Sequence, residues 1–299
     1  MNNDRIQEIL DLMEEARLDY FLISDPQSIA YCTGYYNDPH ERMFVFMISK
    51  HGNHTLFMND LFYLDHDLDV NIVWHKDGQD AIQTIVDEMH FPGRIGIDKN
   101  WASHFLLDLM KKLPDAKYIN ASPCVDLVRM KKDLQEQVLM IESSKINDAV
   151  MEEIIPFIQE GVTEKQLAKK LDELFFNHHS TCYGAIVAFG KNAADPHHEN
   201  DDTLLRKGDC VLIDMGCVYK GYCSDMTRTF FYEGILEEEI KVYELVKKAN
   251  EAAEAMIKPG VKLSDIDKCA RKVISDEGYG KYFTHRLGHF ICLLYTSDA

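Results

Sequence analysis

Nothing in this chain of 299 residues approaches the ~18 consecutive apolar residues of a membrane-spanning helix, and Asp4, Glu8, Asp11, Glu14 and Glu15 leave no signal-like apolar stretch at its start. A cytoplasmic protein is therefore expected. Basic residues are scarce, 32 Lys and Arg against 50 Asp and Glu, for a formal charge of -18. Such a surface repels phosphate backbones and anionic membranes, so neither nucleic acid nor lipid is an expected partner. No Cys-x-x-Cys pair occurs among the eight cysteines, at 32, 124, 182, 210, 217, 223, 269 and 292, and they read as free thiols. The first third also lacks a Gly-rich phosphate loop and any cluster of His or Cys, which suits a supporting or substrate-gating domain. What remains is ordinary: 46% hydrophobic and 27% charged residues, in a chain long enough for two domains.

The first third alternates helix and strand signals. Ile6, Ile9, Leu10 and Met13 recur at helical spacing, followed by strands over 19–23, 43–49, 55–58, 70–74 and 94–97 and helices over 80–89 and 101–112. This predicts an α/β domain. From Asp133 a long helix begins, with Leu139, Ile146, Val150 and Ile154 as its apolar stripe and Pro156 as its interruption, placing a domain boundary near 120–135. Thr163 with Gln166 forms a capping box ahead of Leu167, Leu171, Leu174 and Phe175, and Ser264 with Asp267 is expected to start a further helix stopping at Gly278. Strand runs over 183–189, 209–215 and 222–232 lie between, so the second domain reads as α+β.

Asp214 and Asp225 stand eleven positions apart on either side of Lys220-Gly221, a turn signal between two β-rich runs. A hairpin turning there is expected to set them directly opposite each other, with Cβ atoms roughly 4.5–5.5 Å apart. Both could simply be polar residues flanking a turn. Against that, Asp214 follows Val211, Leu212 and Ile213 in what reads as a buried strand, where an unpaired carboxylate is costly. Two close carboxylates suit a pair of metal ions roughly 3.5–4 Å apart. Among thirteen histidines, His197 and His198 follow a loop after a strand, and His285 and His289 are spaced i, i+4 around Gly288. A mixed carboxylate and imidazole site suits Mn, with Co, Zn or Fe also admitted.

The runs Leu212-Ile-Asp-Met-Gly216, Tyr219-Lys-Gly-Tyr222, Ser224-Asp-Met-Thr-Arg-Thr-Phe230 and His285-Arg-Leu-Gly-His289 resemble the pita-bread metallopeptidases, specifically Xaa-Pro aminopeptidases and Xaa-Pro dipeptidases (prolidases). Tyr31-Cys-Thr-Gly-Tyr35 resembles a segment of their creatinase-like N-terminal domain. The resemblance implies an α/β creatinase-like domain over 1–130 and an α+β pita-bread catalytic domain, incomplete, over 131–291. It further implies two divalent metal ions held by Asp214, Asp225 and His289, with Asp225 bridging. His197, or the adjacent His198, is implied to steady the scissile carbonyl, and His285 to lie near the proline side of the substrate. A proline-containing peptide cleaved before proline, and a homodimer, complete the picture.

After His289 the family pattern of Gly-Ile-Gly, a second catalytic histidine and two later glutamates is not met. Residues 292–299 are expected to be a non-native tail on a truncated gene. With three of five ligands the chain is expected to be a poor catalyst. The alternatives are a metal-free creatinase-type hydrolase and a non-catalytic pita-bread protein that binds peptides or partners.

Overall fold

The computed structural model describes residues 1–90 and 92–291; the expectation for 292–299 lies outside the described residues. Two compact units divide at Lys131 and Lys132. The first contains helices α1 (Asn3–Glu15), α2 (Pro26–Thr33), α3 (Ala81–Glu88), α4 (Ser103–Lys112) and α5 (Ser122–Met130). Its strands are β1 (Tyr20–Ile23), β2 (Val45–Ser49), β3 (Thr55–Asn59), β4 (Asn71–His75), β5 (Arg94–Ile97) and β6 (Lys117–Asn120), in the sheet order β4-β3-β2-β1-β5-β6. Every residue of β1, β2 and β3 is buried, the signature of a sheet covered on both faces. This is the expected α/β domain.

The second unit begins with α6 (Leu134–Ile154), capped by a box between Asp133 and Glu136, and α7 (Glu164–Asn177), capped by the box between Thr163 and Gln166. Strands β7 (Thr181–Cys182), β8 (Ile186–Phe189), β9 (Cys210–Met215), β10 (Cys217–Tyr219), β11 (Tyr222–Cys223) and β12 (Met226–Phe231) follow, then α8 (Glu237–Glu254) and α9 (Leu263–Asp276). They form two three-stranded sheets, β12-β9-β8 and β11-β10-β7. Val150, Met151 and Ile154 of α6 and Leu167, Leu171, Leu174 and Phe175 of α7 pack in one core with Val187, Phe189, Val211, Ile213 and Met215 of the sheet. The α6 stripe is less apolar than expected: Leu139 and Ile146 are half-buried, and Glu136, Ser143 and Asn147 occupy buried positions along it.

Two expectations need correction. No side chain of Ser264 caps α9, whose N-cap is Lys262; Asp267 instead binds Arg271 and the backbone of Leu287. The strand expected over 222–232 breaks at Ser224-Asp225, separating β11 from β12.

The seven cysteines among the described residues are free thiols. Burial pushes the thiols of Cys182 and Cys210 up to about 11. Against 9.0 for an ordinary thiol, this cuts the thiolate fraction about 100-fold, so alkylation of both by iodoacetamide at pH 7.5 should run about 100-fold slower than that of a small exposed thiol. Peptide mapping by mass spectrometry that found equal rates would contradict this burial.

Candidate metal centre

The hairpin turns at Lys220 and Gly221, both with positive φ (49° and 87°), as a type I′ turn requires. Tyr219 therefore pairs with Tyr222 and Val218 with Cys223; beyond the break, Met215 pairs with Met226 and Asp214 with Thr227. The expected direct Asp214–Asp225 opposition is thus wrong by two residues: Thr227 is the partner of Asp214, and Asp225 lies diagonal to it. The reason is the two-residue turn, which leaves Gly216 to face Asp225. Strand β9 alternates, with Val211, Ile213 and Met215 in the core and Asp214 half-buried on the other face. Because Asp225 and Thr227 share that face, the two carboxylates still open into one cleft.

The Thr227 hydroxyl donates to Asp214 Oδ1 at 2.6 Å. Thr227→Val removes this orienting bond, and Mn affinity measured calorimetrically is expected to fall about 10-fold, the low end for loss of a partner that orients a ligand. Unchanged affinity would show that Asp214 needs no such support.

His289 comes from a distant segment. In α9, Arg271 bonds Asp267 and donates to the carbonyls of Phe283 and His285, while Asp267 accepts from Leu287 N. Leu287 also packs against the core shared by α8 and α9, formed by Leu245, Ala249, Ala253, Ala270 and Ile274. Held this way, His289 Nε2 lies 3.4 Å from Asp225 Oδ2, and its Nδ1 is 3.1 Å from Phe290 O. With Nδ1 on that carbonyl, Nε2 is the ring nitrogen that faces Asp225, the orientation in which an imidazole binds a metal beside a carboxylate. The Asp225 side chain is only 24% exposed, and its pKa is raised above the usual aspartate value by burial and by the charge of Asp214, with His289 pulling the other way. Two carboxylates and an imidazole nitrogen converging in one cleft are a donor set that a divalent ion takes, so the residues fit one.

A cleft of about 420 Å³ is lined by Asp214, Asp225, His289, His285 and His197. The His197 and His285 rings meet edge to face, 6.3 Å apart. His198 lines only an adjoining recess of about 270 Å³, which it shares with Tyr183, Asp214 and Asp225, and its Nε2 is 2.6 Å from Glu164 Oε2. The structure thus brings together the five site residues singled out in the sequence, while the His198 ring, which lines the adjoining recess with His197, Asp214 and Asp225, is bound by Glu164. Sequence reasoning passed over Thr227, Glu164, Asp267 and Arg271. Thr227 was within reach of a correct register; the other three act through contacts between segments that no local pattern marks.

The Creatinase/Prolidase N-terminal domain model matches residues 5–131, and that of metallopeptidase family M24 matches residues 138–298, more than half of the chain. The chain belongs to metallopeptidase family M24. An uncharacterised peptidase of Staphylococcus aureus (strain bovine RF122 / ET3-1) is 31% identical over 294 residues, covering 95% of this chain and 82% of that protein. A dipeptidase of Pyrococcus horikoshii OT3 superposes with a TM-score of 0.87 at 33% identity, over 99% of this chain and 84% of the other. An Xaa-Pro dipeptidase of Bacillus anthracis does so with a TM-score of 0.87 at 26% identity, over 99% and 83%. This M24 peptidase accordingly has the creatinase N-terminal domain and pita-bread catalytic fold that the motifs implied. Among the described residues no helix is long and apolar enough to cross a membrane.

Proposed function

We propose that this M24 peptidase hydrolyses the peptide bond preceding proline, with Asp214, Asp225 and His289 holding divalent metal, Mn first among the candidates. The observation that carries the proposal is the convergence of His289 Nε2 on Asp225 beside Asp214, in the cleft that His197 and His285 also line. The likeness to an Xaa-Pro dipeptidase supports the choice of substrate. A divalent ion bound there supplies a Lewis acid for the scissile carbonyl and lowers the pKa of water.

The chain's own residues do the rest. Asp214 is oriented by Thr227, and Asp225 sets a second, partly buried carboxylate in the same cleft. His285 is held through Nδ1 by the Arg286 carbonyl, 2.6 Å away, which leaves Nε2 as its other ring nitrogen for the substrate. His197, unlike His198, has no carboxylate on its ring and is proposed to donate to the substrate carbonyl.

With Asp214, Asp225 and His289 as donors, the protein is proposed to bind Mn. In the presence of Mn it should bind an Xaa-Pro dipeptide at least about tenfold tighter than the Xaa-Ala analogue, a difference of ~1.4 kcal/mol. Equal binding of the two peptides would overturn the proline reading.

A further inference from the structure

We infer that Glu164 is a positioning residue, whose buried carboxylate fixes the segment that presents His197 to the cleft; only the role of His197 rests on the function proposed above. Glu164 is the first residue of α7 and is completely buried. Its Oε1 accepts from Phe189 N at 2.8 Å and Asn192 Nδ2 at 2.9 Å. Its Oε2 accepts from His198 Nε2 at 2.6 Å and Asp201 N at 3.0 Å. These four donors lie at the end of β8, in the turn Gly190–Ala194, and on the C-terminal side of His197, so one carboxylate gathers the whole course of residues 189–201. Backbone bonds from Glu164 N to Thr203 O and from Lys165 N to Asp201 O lay the returning chain on the start of α7. A buried carboxylate is tolerable only when so satisfied, and the N-terminal end of α7 favours its charge.

Glu164, His198 and Asp201 also form, among the described residues, a cluster with potential ligand atoms all within 4.8 Å of one another. A cation there would compete with four donors for the two carboxylate oxygens, whose lone pairs are already engaged. Asp201 turns its N–H on Glu164 Oε2, which faces a cation unfavourably, and its own nearby carboxylate is engaged in turn, Oδ1 accepting from Thr203 N. The cluster is therefore a hydrogen-bond hub. Since a carboxylate only accepts, His198 carries its proton on Nε2, and its neighbour His197 is left to stand against His285.

The test is long-range ¹H–¹⁵N NMR of the histidine rings with amide hydrogen exchange, on the metal-free 299-residue protein and on Glu164→Gln. The wild type should show His198 as the Nε2–H tautomer and protected amides at Phe189 and Asp201. In Glu164→Gln, which cannot accept from all four donors, exchange at one or both amides should accelerate at least tenfold or the His198 tautomer should switch, while amides of β12 stay protected. An Nδ1–H tautomer in the wild type overturns the inference without any variant, as does added Zn²⁺ displacing the Nε2 proton. A variant that leaves both the tautomer and the exchange unchanged overturns it too. Failure of the wild type to bind Mn would defeat the proposed function and leave these readouts to decide this one.

Discussion

Asp225→Asn is expected to weaken Mn binding by about 100-fold or more, beyond the ~10–100-fold that loss of a partner orienting a metal ligand costs. The same substitution should leave the metal-free protein more stable at neutral pH. The carboxylate of Asp225 is partly buried, faces Asp214, and has its pKa raised. A raised native pKa means that the folded state holds this proton more tightly than the unfolded chain. The stabilisation from that proton is complete below the ordinary aspartate value of ~3.9 and is lost as pH climbs through the raised native value. The Asn variant, which has no proton to lose, should match wild type near pH 4 and exceed it at pH 7 in chelator, and saturating Mn should reverse the order. Calorimetric titration and thermal melts at the two pH values check this. A variant that keeps Mn affinity, or that is the less stable of the two at pH 7 without metal, would show that Asp225 is an ordinary surface carboxylate.

Gly216→Ala is expected to destabilise the second unit by roughly 4 kcal/mol or more, at the extreme of single substitutions. A Cβ at Gly216 would lie 1.9 Å from Tyr183 Oη and 2.2 Å from the backbone oxygen of Ser224. Neither can retreat easily. The Tyr183 hydroxyl donates to that same Ser224 carbonyl, and Ser224 N donates to Cys217 O at 3.1 Å. Gly216 sits where β9 passes into β10, opposite Asp225, so any shift that admits a methyl group also moves the carboxylate. Tyr183→Phe should not rescue the variant, because the Ser224 oxygen and the ring carbon, 2.3 Å from the added Cβ, remain. A loss of about 10 °C or more in the unfolding transition of this unit is expected at ~2–4 °C per kcal/mol. A loss below about 2 °C would mean that the two strands have room to part, and that the close approach is not what sets Asp225.

Much of the fold was legible because its signals are local. The box between Thr163 and Gln166 starts α7 where expected, and Leu167, Leu171, Leu174 and Phe175 are its buried face. Strand β5 and the stop of α9 at Gly278, whose φ is 87°, need only neighbours in sequence. The errors arose where a distant contact outweighs a local pattern. Asp267 resembles the second half of a capping box, yet Arg271 and Leu287 N compete for it. The α6 stripe weakens toward its start because Glu136 accepts from the Tyr222 hydroxyl at 3.0 Å, so the position is buried without being apolar. The register of the hairpin was a matter of two residues, a shift that keeps both aspartates on one face and exchanges facing partners for diagonal ones.

From the sequence alone followed the two domains, the order of most elements and a chemistry of paired aspartates and histidines, because caps, turns and strand periodicity are written within a few residues of where they act. Only the tertiary structure decided that Asp225 lies diagonal to Asp214, that His289 reaches it, and that Glu164 claims His198 and not His197. Each of those outcomes joins segments on separate strands, helices and loops, and side-chain partners across such spans are chosen by packing and hydrogen-bond satisfaction, which no single segment encodes.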